Sequence, residues 1–378
     1  MAYSIPLSSP LFEGNEKDYL QTALSSGHIA TNGEYIDKFE SKLLAQSETH
    51  HAVALNSGTS ALHLALVLLG VGRGDEVICQ SFTFCASANP IVYLGGTPVF
   101  VDSEEETWNI SPELLEEAIL SRLAVGKKPK AIIVVHLFGM PAKMKEIMEI
   151  SEKYEIPVIE DAAEAVGSTY QGKSCGALGT LGFYSFNGNK IITTGGGGAL
   201  LTSDPSIVQK ARYLSTQAKE NLPYYQHLEI GYNYRMNNMA AAIGLAQLEK
   251  LDGFVAKRRL INAGYRSLFG QIQGIHFQPE LPESKSNFWL STILIDEQAT
   301  GVTNEKFRSM LLEREIETRY LWKPLHLQPI YRDAPFIGGR VAESLFSRGL
   351  CLPSSVNLTP QDQERIAGIL EKQLSKVS

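Results

Sequence analysis

Cysteine is scarce in this 378-residue chain, and Cys79, Cys85, Cys175 and Cys351 stand far apart without CxxC spacing. That argues against a disulfide framework or a cysteine zinc site and fits reduced thiols in a cytoplasmic protein. Positive charge is in deficit: 34 basic residues against 41 acidic ones give a net charge of −7. A protein that wraps nucleic acid needs the opposite field, so no nucleic-acid partner is expected. No apolar run approaches the ~20 residues that span a bilayer, so no membrane partner is expected either. The opening MAYSIPLSSP lacks a basic stretch followed by an apolar core, and export is not expected. HExxH, GxSxG and Walker patterns are missing, which leaves metalloprotease, serine hydrolase and P-loop readings unsupported; no metal is expected. Gly70-Val-Gly-Arg-Gly-Asp75 follows a helical run rather than a strand, so it reads as a helix C-cap and turn, not a dinucleotide site.

What is present is an ordinary globular balance, 44% hydrophobic and 20% charged, over a length that suits two domains. Tyr35, Phe39 and Leu43 recur at helical spacing within Glu34 to Leu44. Ala52–Leu55 is a short apolar run, followed by Asn56-Ser-Gly-Thr59 and a helical run from Ala61 to Leu69. Strand, small-residue turn and helix explain that order. Further runs lead to polar ends: Glu76–Ile78 to Ser81-Phe-Thr-Phe84, Pro98–Val101 to Asp102, Ala131–Val135 to His136, Pro157–Ile159 to Glu160-Asp161. Short β-branched runs between helical patterns predict an α/β fold with a mostly parallel sheet covered on both faces. Gly182–Asn187 and Gly198–Thr202 read as strands around a glycine-rich bend, and Met239–Leu251 as a helix closing a large domain. We therefore place a large domain at 1–255 and a smaller α/β domain at 256–378.

The sharpest constellation joins Glu160-Asp-Ala-Ala-Glu-Ala165 to Ser185-Phe-Asn-Gly-Asn-Lys190 and the glycines Gly195–Gly198. Asp161 ends an apolar strand, where open α/β sheets place ligands. Alone, Asp161 could cap a helix and Lys190 could be a solvated loop lysine. Together they match the needs of a pyridoxal phosphate enzyme: a Schiff-base lysine and a carboxylate for the pyridine nitrogen. Ser57-Gly58-Thr59 at a helix start offers amides for a phosphate, although an ordinary N-cap has the same sequence. Phe84 is a candidate to stack on the ring, or a core aromatic. Ser185 can reach the phosphate.

Asn56-Ser-Gly-Thr-Ser-Ala-Leu-His-Leu-Ala-Leu66, Ser81-Phe-Thr-Phe84, Glu160-Asp-Ala-Ala163, Phe186-Asn-Gly-Asn-Lys190 and Gly231-Tyr-Asn-Tyr-Arg235 resemble the DegT/DnrJ/EryC1/StrS aminotransferases, over essentially the whole chain. The resemblance implies the fold-type I architecture of aspartate aminotransferase and amino transfer to nucleotide-linked keto sugars. It implies pyridoxal 5′-phosphate held by Lys190 as an internal aldimine, with pyridoxamine phosphate as the alternate form. Asp161 would bind the pyridine nitrogen and Phe84 would stack, while Ser57, Gly58, Thr59 and Ser185 would hold the phosphate, with Asn187 nearby. Glu164 stands where the family commonly has glutamine, a departure shared with its bacillosamine-type branch, and would lie near the phenolic oxygen. Asn233 would reach the phosphate of the partner subunit, so a homodimer is implied.

Substrate contacts are implied at His28, Ile29 and Ala30, at His136, at Arg235, and at Arg319, Tyr320, Leu321, Trp322 and His326. For the histidines and Arg235, a buried or ion-paired structural residue is the competing reading. L-glutamate is the implied donor and a UDP-linked 2-acetamido-2,6-dideoxy-4-ketohexose the implied acceptor. GDP-perosamine synthases and dTDP-4-amino sugar enzymes share most of these motifs. A pyridoxamine-dependent sugar dehydratase is disfavoured by Lys190, and a non-catalytic homologue by the joint presence of Asp161, Ser185 and Lys190.

Overall fold

The computed structural model describes residues 3–47, 49 and 51–375. Its centre is an eight-stranded sheet in the order His51–Leu55, Gly198–Thr202, Leu181–Ser185, Val158–Asp161, Ala131–Val135, Glu76–Gln80, Thr97–Val101, Phe336–Ile337. Only Gly198–Thr202 runs against the others, because it returns directly from Leu181–Ser185 as a hairpin. The remaining neighbours pair in parallel.

Strand alternation sends side chains to both faces, which is why these runs are nearly all apolar. Ala131 and Ile133 enter the core cluster that contains the helix Gly58–Leu68, while Ile132 and Val134 enter the one under Pro112–Ala124 and Met144–Tyr154. All four are fully buried. Each such Val or Ile is worth about 1.5–3 kcal/mol relative to exposure.

The expected strand–turn–helix at Ala52–Leu69 appears as the strand His51–Leu55, an N-cap at Ser57 whose Oγ accepts from Ser60 N at 3.0 Å, and the helix Gly58–Leu68. Gly70 has φ +71°, the left-handed turn residue that glycine permits. The helix expected at Met239–Leu251 is instead two: Asn238–Leu248, capped by Asn237, and Leu251–Phe269. The chain steps between them at Glu249 and Lys250, a break without Pro or Gly and therefore invisible to pattern.

A second, antiparallel sheet orders Ile275–Phe277, Ser291–Ile295, Gly349–Leu352 and Arg319–Tyr320. It packs with Leu251–Phe269 and Pro360–Leu374 around a core of Tyr265, Phe269, Phe307 and Ile366. The helix Leu251–Phe269 crosses residue 255, and Phe336–Ile337 pairs with Thr97–Val101 in the large sheet. The N-terminal segment lies on the small sheet's side, with Ser4 and Ile5 amides donating to Glu315 O and Ser354 N to Leu7 O. Among the described residues no helix is long and apolar enough to cross a membrane.

Candidate active site

A cavity of about 450 Å³ opens at the carboxyl ends of the parallel strands. Asp161, Ser185 and Val135 are the last residues of their strands, Ser57 follows a fourth, and Thr83 to Ser87 follow a fifth. Asp161, Glu164, Ser185, Asn187, Lys190, Ser57, Gly58, Thr59 and Phe84 all line this cavity, as do Arg319 and Trp322 from the small-sheet side.

The carboxylate of Asp161 is buried. Its Oδ2 accepts from Ser87 Oγ at 2.6 Å and its Oδ1 from Ala163 N at 3.2 Å. Burial pushes its proton affinity up, while the Ser87 hydroxyl, the Ala163 amide and the Lys190 charge pull it down. Glu164 is equally buried: Oε2 accepts from Phe138 N at 2.7 Å and Oε1 lies 3.4 Å from Lys190 Nζ. Desolvation raises its affinity for a proton too, opposed by Lys190 and the Phe138 amide. Phe138 aims that amide from a left-handed backbone, φ +56°, a conformation rare outside glycine.

Lys190 sits on the turn that joins the two hairpin strands, and its Nζ lies 4.0 Å from the centroid of the Trp289 ring. Beneath the turn, the first-turn amides of Gly58 and Thr59 have no intrahelical acceptors and line the cavity beside Ser57 and Ser185. The packing there is close. A Cβ on Gly58 would fall 3.0 Å from Ser185 Cβ, and one on Gly198 would fall 2.4 Å from the Ser57 carbonyl carbon. Phe84, 49% exposed, tilts against Trp322 with centroids 5.1 Å apart.

An amine, a buried carboxylate, an accessible aromatic face and a helix N-terminus with hydroxyls thus surround one cavity. That donor set fits pyridoxal phosphate: an anion cradle at one end and, at the other, a carboxylate that can pair with a protonated ring nitrogen.

Several expected substrate contacts lie elsewhere. His136 is fully buried; its Nδ1 accepts from Ala142 N at 3.1 Å and its Nε2 bonds Glu160 Oε2 at 2.9 Å. It ties the loop at Ala142 to the strand Val158–Asp161 and is not among the residues that line the cavity. Arg235 is likewise structural, because its guanidinium pairs with buried Glu40 and donates to Ala54 O at 3.2 Å. His326 stacks on Phe336 at 3.8 Å and bonds Ser81 Oγ at 2.7 Å, outside the lining. Tyr320 packs near Phe346 and Arg308, and Leu321 is in the core. His28, Ile29 and Ala30 are exposed away from this chain's cavity, and the carbonyls of His28 and Ala30 accept from Asn238. Asn233 is also exposed, its carbonyl accepting from Asn56 Nδ2 at 3.0 Å.

Sequence reasoning missed Ser87, Trp289 and the Phe138 amide. Rarity was a usable signal for one of them: the chain has three tryptophans, and two, Trp289 and Trp322, line the cavity.

Comparison with known proteins places these features in context. The model of the DegT/DnrJ/EryC1/StrS aminotransferase family matches residues 11–371. The chain is 47% identical over 374 residues to EpsN of Bacillus subtilis (strain 168), a candidate pyridoxal phosphate-dependent aminotransferase by its description, covering 98% of this chain and 96% of that one. It is 40% identical to the GDP-perosamine synthase of Escherichia coli O157:H7, covering 94% of each. Among solved structures, a DegT DnrJ EryC1 StrS aminotransferase from Brucella abortus superposes with a TM-score of 0.89 at 30% identity, covering 95% of each chain.

Proposed function

Because the chain belongs to the DegT/DnrJ/EryC1/StrS aminotransferase family, we propose that it moves the amino group of L-glutamate onto the C4 ketone of a nucleotide-linked 4-keto-6-deoxysugar. It is a pyridoxal phosphate-dependent sugar aminotransferase; the acceptor we assign is UDP-2-acetamido-2,6-dideoxy-4-ketohexose, and the products are the 4-amino sugar and 2-oxoglutarate. The observation that carries the reading is the convergence of Lys190, Asp161 and the Ser57–Thr59 helix start on one cavity.

Bound pyridoxal phosphate supplies an electron sink for the carbon that loses its proton. The rest falls to the chain's own residues. Ser57, Gly58, Thr59 and Ser185 would hold the phosphate, Asp161 would hold a proton at the pyridine nitrogen, and Phe84 would cover the ring. Lys190 would anchor the group through Nζ and, as a free amine, would be the base that takes the donor's Cα proton and the acid that returns a proton when the sugar ketone is aminated. Glu164, 3.4 Å from Nζ, keeps a carboxyl beside the amine during these transfers. Arg319 and Trp322 wall the cavity on its small-sheet side, where they would meet the sugar nucleotide.

Asn233, exposed and outside its own chain's cavity, serves the cavity of a second copy, which makes the working unit a homodimer. An apolar neighbourhood supports this: Tyr225 is 81% exposed and Ile230 86%. Sedimentation of the holoenzyme tests it, and a monomer with full activity would refute it.

The substrate test is mass spectrometry of products after the holoenzyme meets L-glutamate and a panel of UDP-, GDP- and dTDP-linked 4-keto-6-deoxysugars. A UDP-linked amine as the fastest product supports the assignment. A GDP-linked amine would replace it with the second reading, perosamine synthesis, which the similarity to relatives of that name favours. No amine from any of them, with glutamate also failing to alter the visible spectrum, would refute both.

A further inference from the structure

Arg258 is a buried cation outside the chemistry described above. The residue is 1% exposed, and among the described residues no carboxylate pairs with it. Nη1 donates to Trp289 O, Nη2 donates to Ser8 Oγ at 3.0 Å, and Nε has no partner among the described residues. Burial without a counter-charge pushes its affinity for a proton down, to a pKa of about 9. Such a group costs stability, and an apolar side chain of similar shape would fill the space at lower cost.

Its two partners both lead to the turn that carries the active-site lysine. Ser8 Oγ donates to Asn189 O at 2.7 Å, and Trp289 Nε1 donates to the same oxygen at 2.8 Å. Asn189 immediately precedes Lys190, and the Trp289 ring faces Lys190 Nζ. Trp289 is fixed from its other side by Asn287, whose Oδ1 accepts from Trp289 N at 2.8 Å and whose Nδ2 donates to Glu164 O at 2.9 Å. Ser8 belongs to a strap across the small sheet: Leu7 N donates to Glu317 Oε2 at 2.9 Å, and Glu317 Oε1 accepts from Arg319 Nη2, also at 2.9 Å. One oxygen, Asn189 O, therefore collects two donors that Arg258 aligns, and the strap runs on to a cavity-lining arginine.

We propose that Arg258, Ser8 and Trp289 form a clamp that positions the Lys190 turn for capture of pyridoxal phosphate, in which Nζ would condense with the aldehyde and its oxygen would leave as water, and for proton transfer, and that the N-terminal strap couples this turn to Arg319. Arg258 and Ser8 are positioning residues, since neither lines the cavity. The inference rests on Lys190 being the lysine that binds the cofactor. Borohydride reduction of the holoenzyme followed by peptide mass spectrometry tests that separately: a cofactor on another lysine sinks the functional reading, whatever the clamp variants do.

The clamp is tested with Ser8→Ala, Arg258→Met, Arg258→Lys and, as a control at the strap's far end, Ser4→Ala, whose hydroxyl bonds the Arg314 and Glu315 carbonyls. Apoprotein is mixed with pyridoxal phosphate and the rise of the lysine-bound visible band is timed. kcat, the glutamate KM and the melting temperature are measured alongside. For Ser8→Ala, capture and kcat fall about three- to tenfold, the range one neutral hydrogen bond commands, with KM and melting temperature held. Arg258→Met falls further, Arg258→Lys recovers part of the loss, and Ser4→Ala matches the parent. Capture and kcat in Ser8→Ala equal to the parent's would overturn the proposal, and this variant decides the matter alone if Arg258→Met does not fold. A loss in Arg258→Met confined to melting temperature would overturn it equally.

Discussion

Removing one hydroxyl should move the pH at which this enzyme gains activity. In Ser87→Ala, the buried Asp161 Oδ2 loses a 2.6 Å hydrogen bond. A hydrogen bond to a charged group is worth about 1.5–3 kcal/mol. At 1.36 kcal/mol per pK unit, that raises the Asp161 proton affinity by about one to two pH units. The sign follows from which form the bond favours: the hydroxyl donates to the carboxylate, so its loss favours the neutral acid, on top of the burial that already does so. The Ala163 amide stays in place at 3.2 Å, so the carboxyl should keep its position. The assay is the pH profile of kcat/KM for glutamate on the holoenzyme, with cofactor affinity measured across the same range. The acid limb should shift upward, and affinity for pyridoxal phosphate should weaken most on that limb. Ser87→Thr, which keeps a hydroxyl, should stay near the parent. A Ser87→Ala profile that superposes on the parent's would refute the claim that this bond sets the charge of Asp161.

Three further outcomes follow from the same geometry. Glu164 has a folded proton affinity raised by burial, so the folded state binds more protons than the unfolded one between the two values, and this group's contribution to stability declines as pH rises through that window. Melting temperatures across pH should therefore show Glu164→Gln gaining on the parent as pH rises, and a constant difference would count against it. Gly58→Ala places a methyl 3.0 Å from Ser185 Cβ inside the phosphate cradle, so affinity for pyridoxal phosphate should fall by roughly tenfold or more, while affinity for unphosphorylated pyridoxal is unchanged. Equal losses for both ligands would place the phosphate elsewhere. Glu40 accepts from Ala54 N at 2.7 Å and pairs with Arg235 and Arg212. Glu40→Gln removes the buried counter-charge of the half-buried Arg235 and should cost about 3–5 kcal/mol in denaturant unfolding; a loss under about 1 kcal/mol would contradict a structural role for that pair.

The strands around the cavity were legible because parallel strands covered on both faces must be apolar and short, and their polar ends stand out. Asp161 and Ser57–Thr59 were legible for the same reason, each interrupting an apolar pattern at or just after a strand end, while Lys190 was legible from the glycine-rich turn around it between two apolar strands. His136 interrupts one too and Arg235 stands in a polar motif, yet their partners Glu160 and Glu40 lie 24 and 195 residues away in sequence. Spacing along a chain carries no sign of such pairings, so a structural ion pair and a substrate contact look alike. Arg258 was hidden in an ordinary basic cluster with Lys257 and Arg259. Only the packing of its helix against Ser8 and Trp289 separates it from two neighbours that pair with Glu13 and Glu280.

The strand Phe336–Ile337 has a bearing on how this enzyme could be rebuilt. The smaller sheet is joined to the larger not by one crossing of the chain but by several. The helix Leu251–Phe269 leads out, Phe336–Ile337 returns as the edge strand of the large sheet, and the segment Ser4–Ser9 lies on the small sheet. Exchanging the part built on the small sheet for a relative's at a single junction would therefore split a sheet and strand a strap. A chimera that keeps both sheets whole must import all three pieces, so the cavity wall is better altered by point changes at Arg319 and Trp322 than by exchanging the small sheet.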